Sequence, residues 1–184
     1  MNDSRSIYFN GGFRSESEPL FTGNARSVMY GDGCFETFRS YGGRYFHLGD
    51  HMRRLQEGLN YLGITVPGVL TKGPEFLSLL DQLLERNDMQ DRDALVRIQV
   101  SRRGSRGYRT GDSEGAHLVI ASYPTKTDYG PIALATAGIR RIPAASMPPQ
   151  FKFTNGINYI LAASEAVKKG ADDALMLTID GSVS

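Results

Sequence analysis

Lys152 stands between Phe151 and Phe153, just ahead of a stretch with helical periodicity, and no other residue is better placed for covalent chemistry. A lysine held on ordered backbone beside an apolar core loses part of the hydration that favours its ammonium. The free amine can then attack a carbonyl carbon and form a Schiff base. Taken alone, a lysine between two phenylalanines is more often a surface side chain whose stem lies along apolar surface. The second candidate is Arg54, in the run HMRRL at 51–55. Its planar guanidinium suits an oxyanion through two parallel hydrogen bonds, although alone it reads as a solvated helix residue. His51, in the same run, reads as structural, because no carboxylate partner can be assigned to it. Phe35 and Thr37 lie two apart in a strand pattern and so point to one side of a sheet.

A third group is the loop RRGSRGYRTGDSEG at 102–115, where Arg102, Arg103, Arg106 and Arg109 are interleaved with glycine and serine. Such a loop builds no core, but its guanidiniums and backbone N–H groups suit a carboxylate. Its one aromatic residue, Tyr108, offers no stacking platform for RNA. The GDG at 31–33 is not a nucleotide fingerprint, since no G-x-G-x-x-G links a strand to a helix and no P-loop lysine follows. His47, His51, His117 and Cys34 lack the spacing of a metal site.

The elements that must position these residues follow from periodicity. Strands are expected at Ser6–Phe9, 34–41, 95–101 and 117–123, with hairpin turns at Gly11-Gly12 and Gly42-Gly43. In 95–101, Val96, Ile98 and Val100 share one face and Arg97, Gln99 and Ser101 the other. Amphipathic helices are expected at 49–62, closed by Gly63, and at 74–86, with proline in its first turn. Behind Lys152, Thr154 or Asn155 is expected to cap a helix. Its buried stripe would be Ile157, Ile160, Leu161, Ser164 and Val167, and Gly170 would close it. The apolar run 174–179 reads as a buried strand before a turn at Asp180-Gly181. Strands, then helices, then strands indicate an α+β class rather than regular βαβ alternation. A small N-terminal α+β domain is expected over 1–124, a linker over 125–131 and the start of a larger β-rich domain over 132–184.

With 184 residues and a formal net charge of +1, the chain has the composition of an ordinary globular protein and lacks the basic surface of a nucleic-acid binder. No membrane span and no secretory leader is expected, and the one cysteine, Cys34, fits a reducing, cytoplasmic setting.

The spacing from Lys152 through Asn155 to LAASEA and GADDALML resembles the lysine segment of class IV aminotransferases, the fold-type IV pyridoxal phosphate enzymes. The GDG-x-F-E strand at 31–36 and the H-x-x-R-L helix are similar to that family in the same order. This resemblance implies a two-domain fold and pyridoxal 5'-phosphate as cofactor. It gives Lys152 the covalent link to the cofactor, a lysine aldimine, and Arg54 the phosphate. Phe35 becomes a pocket wall and Thr37 a hydroxyl near the reacting carbon, with Arg106 and Tyr108 on the substrate carboxylate. It further implies a homodimer acting on an amino acid and a 2-oxo acid.

Within the family, Ile157 stands where branched-chain enzymes have tyrosine. Asn155 is similar to D-amino-acid aminotransferases and aminodeoxychorismate lyases, and the RGY at 106–108 resembles the lyases. Phe153 replaces a histidine frequent in lyases. Transamination is the first reading, 4-amino-4-deoxychorismate lyase the second, and a non-catalytic scaffold the third. The family's glutamate for the cofactor's ring nitrogen falls beyond Ser184, so a fragment of a longer enzyme is expected.

Overall fold

The computed structural model describes residues 4–104, 106–111, 114–125 and 130–184. The expected linker, 125–131, falls largely outside this description, as do Ser105, Asp112 and Ser113 of the arginine loop. Two units are present. One contains Met1–Lys126 and Phe151–Asn155, the other Thr127–Gln150 and Gly156–Ser184.

In the first unit the chain runs β1 (Ser6–Phe9), β2 (Gly12–Ser15), α1 (Arg26–Tyr30), β3 (Gly33–Tyr41), β4 (Arg44–Tyr45), α2 (Leu48–Leu62), a 3-10 turn (Gly68–Thr71), α3 (Gly73–Arg86), β5 (Ala94–Arg102) and β6 (Ala116–Pro124). The strands form one antiparallel sheet in the order β2-β1-β6-β5-β3-β4. Period-2 alternation divides its faces. Cys34, Phe38, Val96, Ile98, Val100, Leu118 and Ile120 are buried with Leu55 and Leu59 of α2 and Leu80, Leu83 and Leu84 of α3. Each such leucine is worth roughly 1.5–3 kcal/mol relative to an exposed one, so this layer supplies the unit's stability. Phe35, Thr37, Arg97 and Gln99 occupy the other face and are half-buried.

Expected strand and helix ends agree with the observed ones to within a residue or so, and Gly63 ends α2 in the left-handed region, φ 65°. Among the described residues no helix is long and apolar enough to cross a membrane.

In the second unit β7 (Leu134–Thr136) and β8 (Asp173–Leu175) pair in parallel, joined through α4 (Ile157–Lys168). This is one βαβ crossover in addition to the antiparallel sheet of the first unit, within the expected α+β class. Three expectations are corrected here. The stripe along α4 is not buried: Ile160 is 60% and Val167 67% exposed, with Ile157, Leu161 and Ser164 exposed as well. The helix buries Ala162 and Ala166 instead, and Ala162 packs with Ala137 and Met176, small side chains on the helix permitting close approach to the short strands. The cap also differs. Gly156 is the N-cap, with no side-chain bond, because the Thr154 hydroxyl is taken by the carbonyls of Gly31 and Gly33. Finally, the expected buried strand at 174–179 is regular only to Leu175, and Ile179 lies exposed in a turn fastened by Thr178 and Asp180.

Residues 151–155, expected to lie in the second domain, group with the first unit. Backbone hydrogen bonds explain why. The Phe35 N–H donates to Lys152 O at 2.9 Å and the Thr154 N–H to Gly33 O at 2.9 Å.

Candidate active site

Those two bonds bracket an antiparallel bridge between Cys34 and Phe153, so the lysine segment extends the sheet along the free edge of β3. Alternation then decides where each side chain goes. Phe153 joins Cys34 on the helix-covered face, and Lys152 joins Phe35 on the other. Two glycines make this edge possible. A Cβ on Gly33 would lie 2.3 Å from the Val100 carbonyl oxygen, and Gly31, at φ 62°, lets the backbone of Asn155 pass at contact distance. The GDG motif is thus a close-approach device for the lysine segment. From the helix side, Phe151 and Phe153 pack on Tyr61, with ring centroids 5.3 and 6.2 Å away. Gly58 leaves room for Phe151 and for the Cys34 sulfur.

The Lys152 ammonium lies 5.2 Å from the centroid of the Phe35 ring, and the Arg97 guanidinium 3.9 Å from the same ring. Partial burial depresses the proton affinity of Lys152 below that of an ordinary lysine. Glu36 pulls it back up, and the charges of Arg54 and Arg97 push it further down. Fields from both faces of the sheet therefore meet at this amine. Cys34, one residue away on the buried side, is not a competing nucleophile. Burial and the carboxylates of Asp32 and Glu36 push its thiol up to about 12.

Arg54 is 40% exposed and its Nε and Nη2 donate to Glu36 Oε1 and Oε2 at 2.5 and 2.8 Å. Glu36 itself has no exposed surface. His51 Nδ1 lies 2.8 Å from Glu36 Oε2, so His51 does have a carboxylate partner, contrary to the reading from sequence. An ionised carboxylate only accepts, which places the histidine proton on Nδ1. Burial alone would raise the pKa of Glu36, but the hydrogen bonds from Arg54 and His51 outweigh it and hold the carboxyl below its ordinary range.

Thr37 is half-buried on the Phe35 face, opposite Arg97 in the β3–β5 register. Arg106 and Tyr108 are exposed, Tyr108 by 91%, with its ring 5.4 Å from that of Tyr30 rather than against the lysine. Gly107 between them is tethered. Its N–H donates to the Tyr30 hydroxyl at 3.0 Å and its carbonyl accepts from Arg26 Nη1 at 2.7 Å. Arg26 and Arg102 both pair with Asp32, at 2.7 and 3.0 Å. The loop thus hangs from a buried charge cluster and presents its two side chains outward.

Lys152, Phe35 and Thr37 therefore share one face at the β3 edge, Arg54 stands on α2 and reaches that strand through Glu36, and Arg106 and Tyr108 belong to a tethered loop. Glu36 and Arg97 were missed as site residues. A signal for Glu36 was present: it alternates with Cys34 and Phe38 on the core-facing register, where a carboxylate requires partners. No group of His, Cys, Asp and Glu among the described residues can hold a metal ion.

The fold is that of the fold-type IV aminotransferases. A branched-chain aminotransferase from Thermoproteus uzoniensis, solved with norvaline, superposes with a TM-score of 0.85 at 28% identity, over 98% of this chain and 62% of that one. The Escherichia coli branched-chain aminotransferase, at 20% identity, shares the fold with a TM-score of 0.85, over 98% and 62%. The family model for amino-transferase class IV matches residues 33–184, and the chain belongs to that family. A Methanocaldococcus jannaschii protein, provisionally named a branched-chain-amino-acid aminotransferase, is 33% identical over 96% of this chain and 61% of its own length. An aminodeoxychorismate lyase of Bacillus subtilis is 38% identical over 52% of this chain and 31% of its own. The chain thus spans about three fifths of the length of the first of these relatives.

Proposed function

We propose that this protein is a pyridoxal-phosphate-dependent aminotransferase that moves an amino group between an amino acid and a 2-oxo acid, with Lys152 as its covalent and proton-transferring residue. The observation that carries this reading is the half-buried Lys152 amine, fixed on the edge of β3 with its proton affinity lowered. The residues present suit the two ends of such a cofactor: an amine for its aldehyde and a guanidinium with an outward edge for its phosphate. When bound, pyridoxal 5'-phosphate supplies that aldehyde and a ring that withdraws electrons from the substrate carbon.

Lys152 captures the aldehyde as a neutral amine and, once displaced by substrate, accepts and returns the proton at the substrate carbon. Arg54 holds the phosphate with paired N–H donors. Phe35 forms a wall that excludes water beside the amine, and Thr37 presents a hydroxyl on the same side. Arg106 and Tyr108, displayed on the tethered loop, take the substrate carboxylate, in a homodimer.

The lyase reading stands second. It is favoured by the RGY at 106–108 and by the similarity to the Bacillus subtilis lyase. Single turnover separates the two. With an amino donor alone, a transaminase leaves pyridoxamine phosphate and releases a keto acid. A lyase given aminodeoxychorismate releases pyruvate and p-aminobenzoate and never accumulates the pyridoxamine form, and that outcome would end the transaminase reading.

A further inference from the structure

The position of Glu36 carries a consequence beyond holding a helix to a sheet. A guanidinium has five N–H donors arranged along two bidentate edges. Glu36 takes the edge formed by Nε and Nη2, at 2.5 and 2.8 Å. What remains is the edge formed by Nη1 and the second Nη2 hydrogen, and no described residue occupies it. The Arg54 side chain as a whole stays 40% exposed. The carboxylate cannot turn away, because it has no exposed surface and His51 Nδ1 holds Oε2 at 2.8 Å. His51 and Arg54 are one helical turn apart on α2, so one buried acid on β3 fixes both of them.

We propose that Glu36 is a positioning residue for the cofactor phosphate: by occupying the inner edge of Arg54, braced by His51, it presents the outer edge as a preformed bidentate anion site. This inference rests on the functional reading above and deepens it, since Glu36 reaches the phosphate only through Arg54. Pre-organisation is the gain. A free arginine on an exposed helix would lose its rotamer freedom on binding, whereas this one has already lost it on folding. The same carboxylate raises the proton affinity of Lys152, an effect common to both aldehydes compared below and so cancelled in the ratio of their affinities.

The test compares pyridoxal 5'-phosphate with pyridoxal, which differs only in lacking the phosphate, by absorbance titration of the protein at its full natural length. In Glu36→Gln an amide replaces one acceptor oxygen, and the inner edge of Arg54 is no longer held. Affinity for the phosphorylated form should fall about 10-fold to 100-fold, the scale of a charged hydrogen-bonded contact, while affinity for pyridoxal stays within about twofold. A purely structural Glu36 would weaken both ligands alike, and that would overturn the inference. Glu36→Asp keeps the charge but draws the carboxylate back by one methylene. It should lose at least about 5-fold in the same discrimination, so its retaining the wild-type ratio overturns the inference even where Glu36→Gln does not fold. If wild type and Lys152→Ala acquire the same visible absorption, the functional reading fails and takes this inference with it. If wild type alone acquires it and the Glu36 variants keep the wild-type ratio, only the inference fails.

Discussion

At the scale of the residue, charge is set by neighbours that alternation brings together. Lys152 faces the Phe35 side of the sheet and Glu36 the helix side, yet both lie at one edge and each shifts the other's titration. For Lys152 the folded pKa lies below the ordinary 10.5, chiefly through burial. Between those two values the unfolded chain binds more protons than the folded one, so stability rises with pH across that window. Replacing Lys152 by methionine removes the penalty. The cofactor-free variant should therefore be more stable than wild type at neutral pH, with the difference shrinking as pH approaches 10.5. Urea unfolding at several pH values checks this, and a constant difference would contradict it.

Glu36 runs the opposite way. Its folded pKa lies below the ordinary 4.5, because the hydrogen bonds from Arg54 and His51 outweigh burial. It contributes stability above that value and loses it as pH falls through the folded pKa. The gap between wild type and Glu36→Gln should be largest near neutrality and close in acid.

At the scale of the element, what was legible from sequence was periodicity with a partner on both sides of the argument. Val96, Ile98 and Val100 alternate against polar neighbours, and the sheet buries them as that pattern requires. The stripe of α4 has the same kind of periodicity, yet the residues the helix buries are Ala162 and Ala166. Spacing identifies an apolar face, but burial needs a surface to cover it. The paired acid of His51 escaped notice because Glu36 is fifteen residues upstream, on a different element. Only the strand register brings the two together.

Gly33 is the element-scale test. A methyl group there meets the Val100 carbonyl at 2.3 Å and the Ser101 Cα at 2.8 Å, both backbone atoms of β5 that cannot yield cheaply. Gly33→Ala should cost about 1–3 kcal/mol as overpacking and disturb the edge that holds Lys152. Gly58→Ala meets the Cys34 sulfur at 3.0 Å and Phe151 at ordinary contact, 3.5 Å, with no backbone in the way, and gains helix propensity of about 1 kcal/mol, so its cost should be smaller. Thermal melts of the two variants check the order, and equal losses would contradict the steric reading.

At the scale of the whole molecule, the chain divides into two units, and the lysine segment belongs by its hydrogen bonds to the first, although it follows most of the second unit's opening stretch in sequence. Sequence composition placed the boundary by its turn-rich stretch and so assigned residues 151–155 to the later part. Backbone pairing between residues more than a hundred positions apart leaves no compositional mark. The family's motifs did carry the fold, because GDG, H-x-x-R-L and the lysine segment recur in order and each has a steric or electrostatic role on this sheet edge.

The central claim is that the amine of Lys152 is the one that captures a carbonyl. Borohydride reduction of the protein at its full natural length, incubated with pyridoxal 5'-phosphate, followed by proteolysis and mass spectrometry, locates the captured amine directly. The expected result is a phosphopyridoxyl group on the peptide bearing Lys152, lost in Lys152→Ala. Labelling confined to Lys72, Lys126, Lys168 or Lys169, or unchanged total labelling in Lys152→Ala, would contradict it.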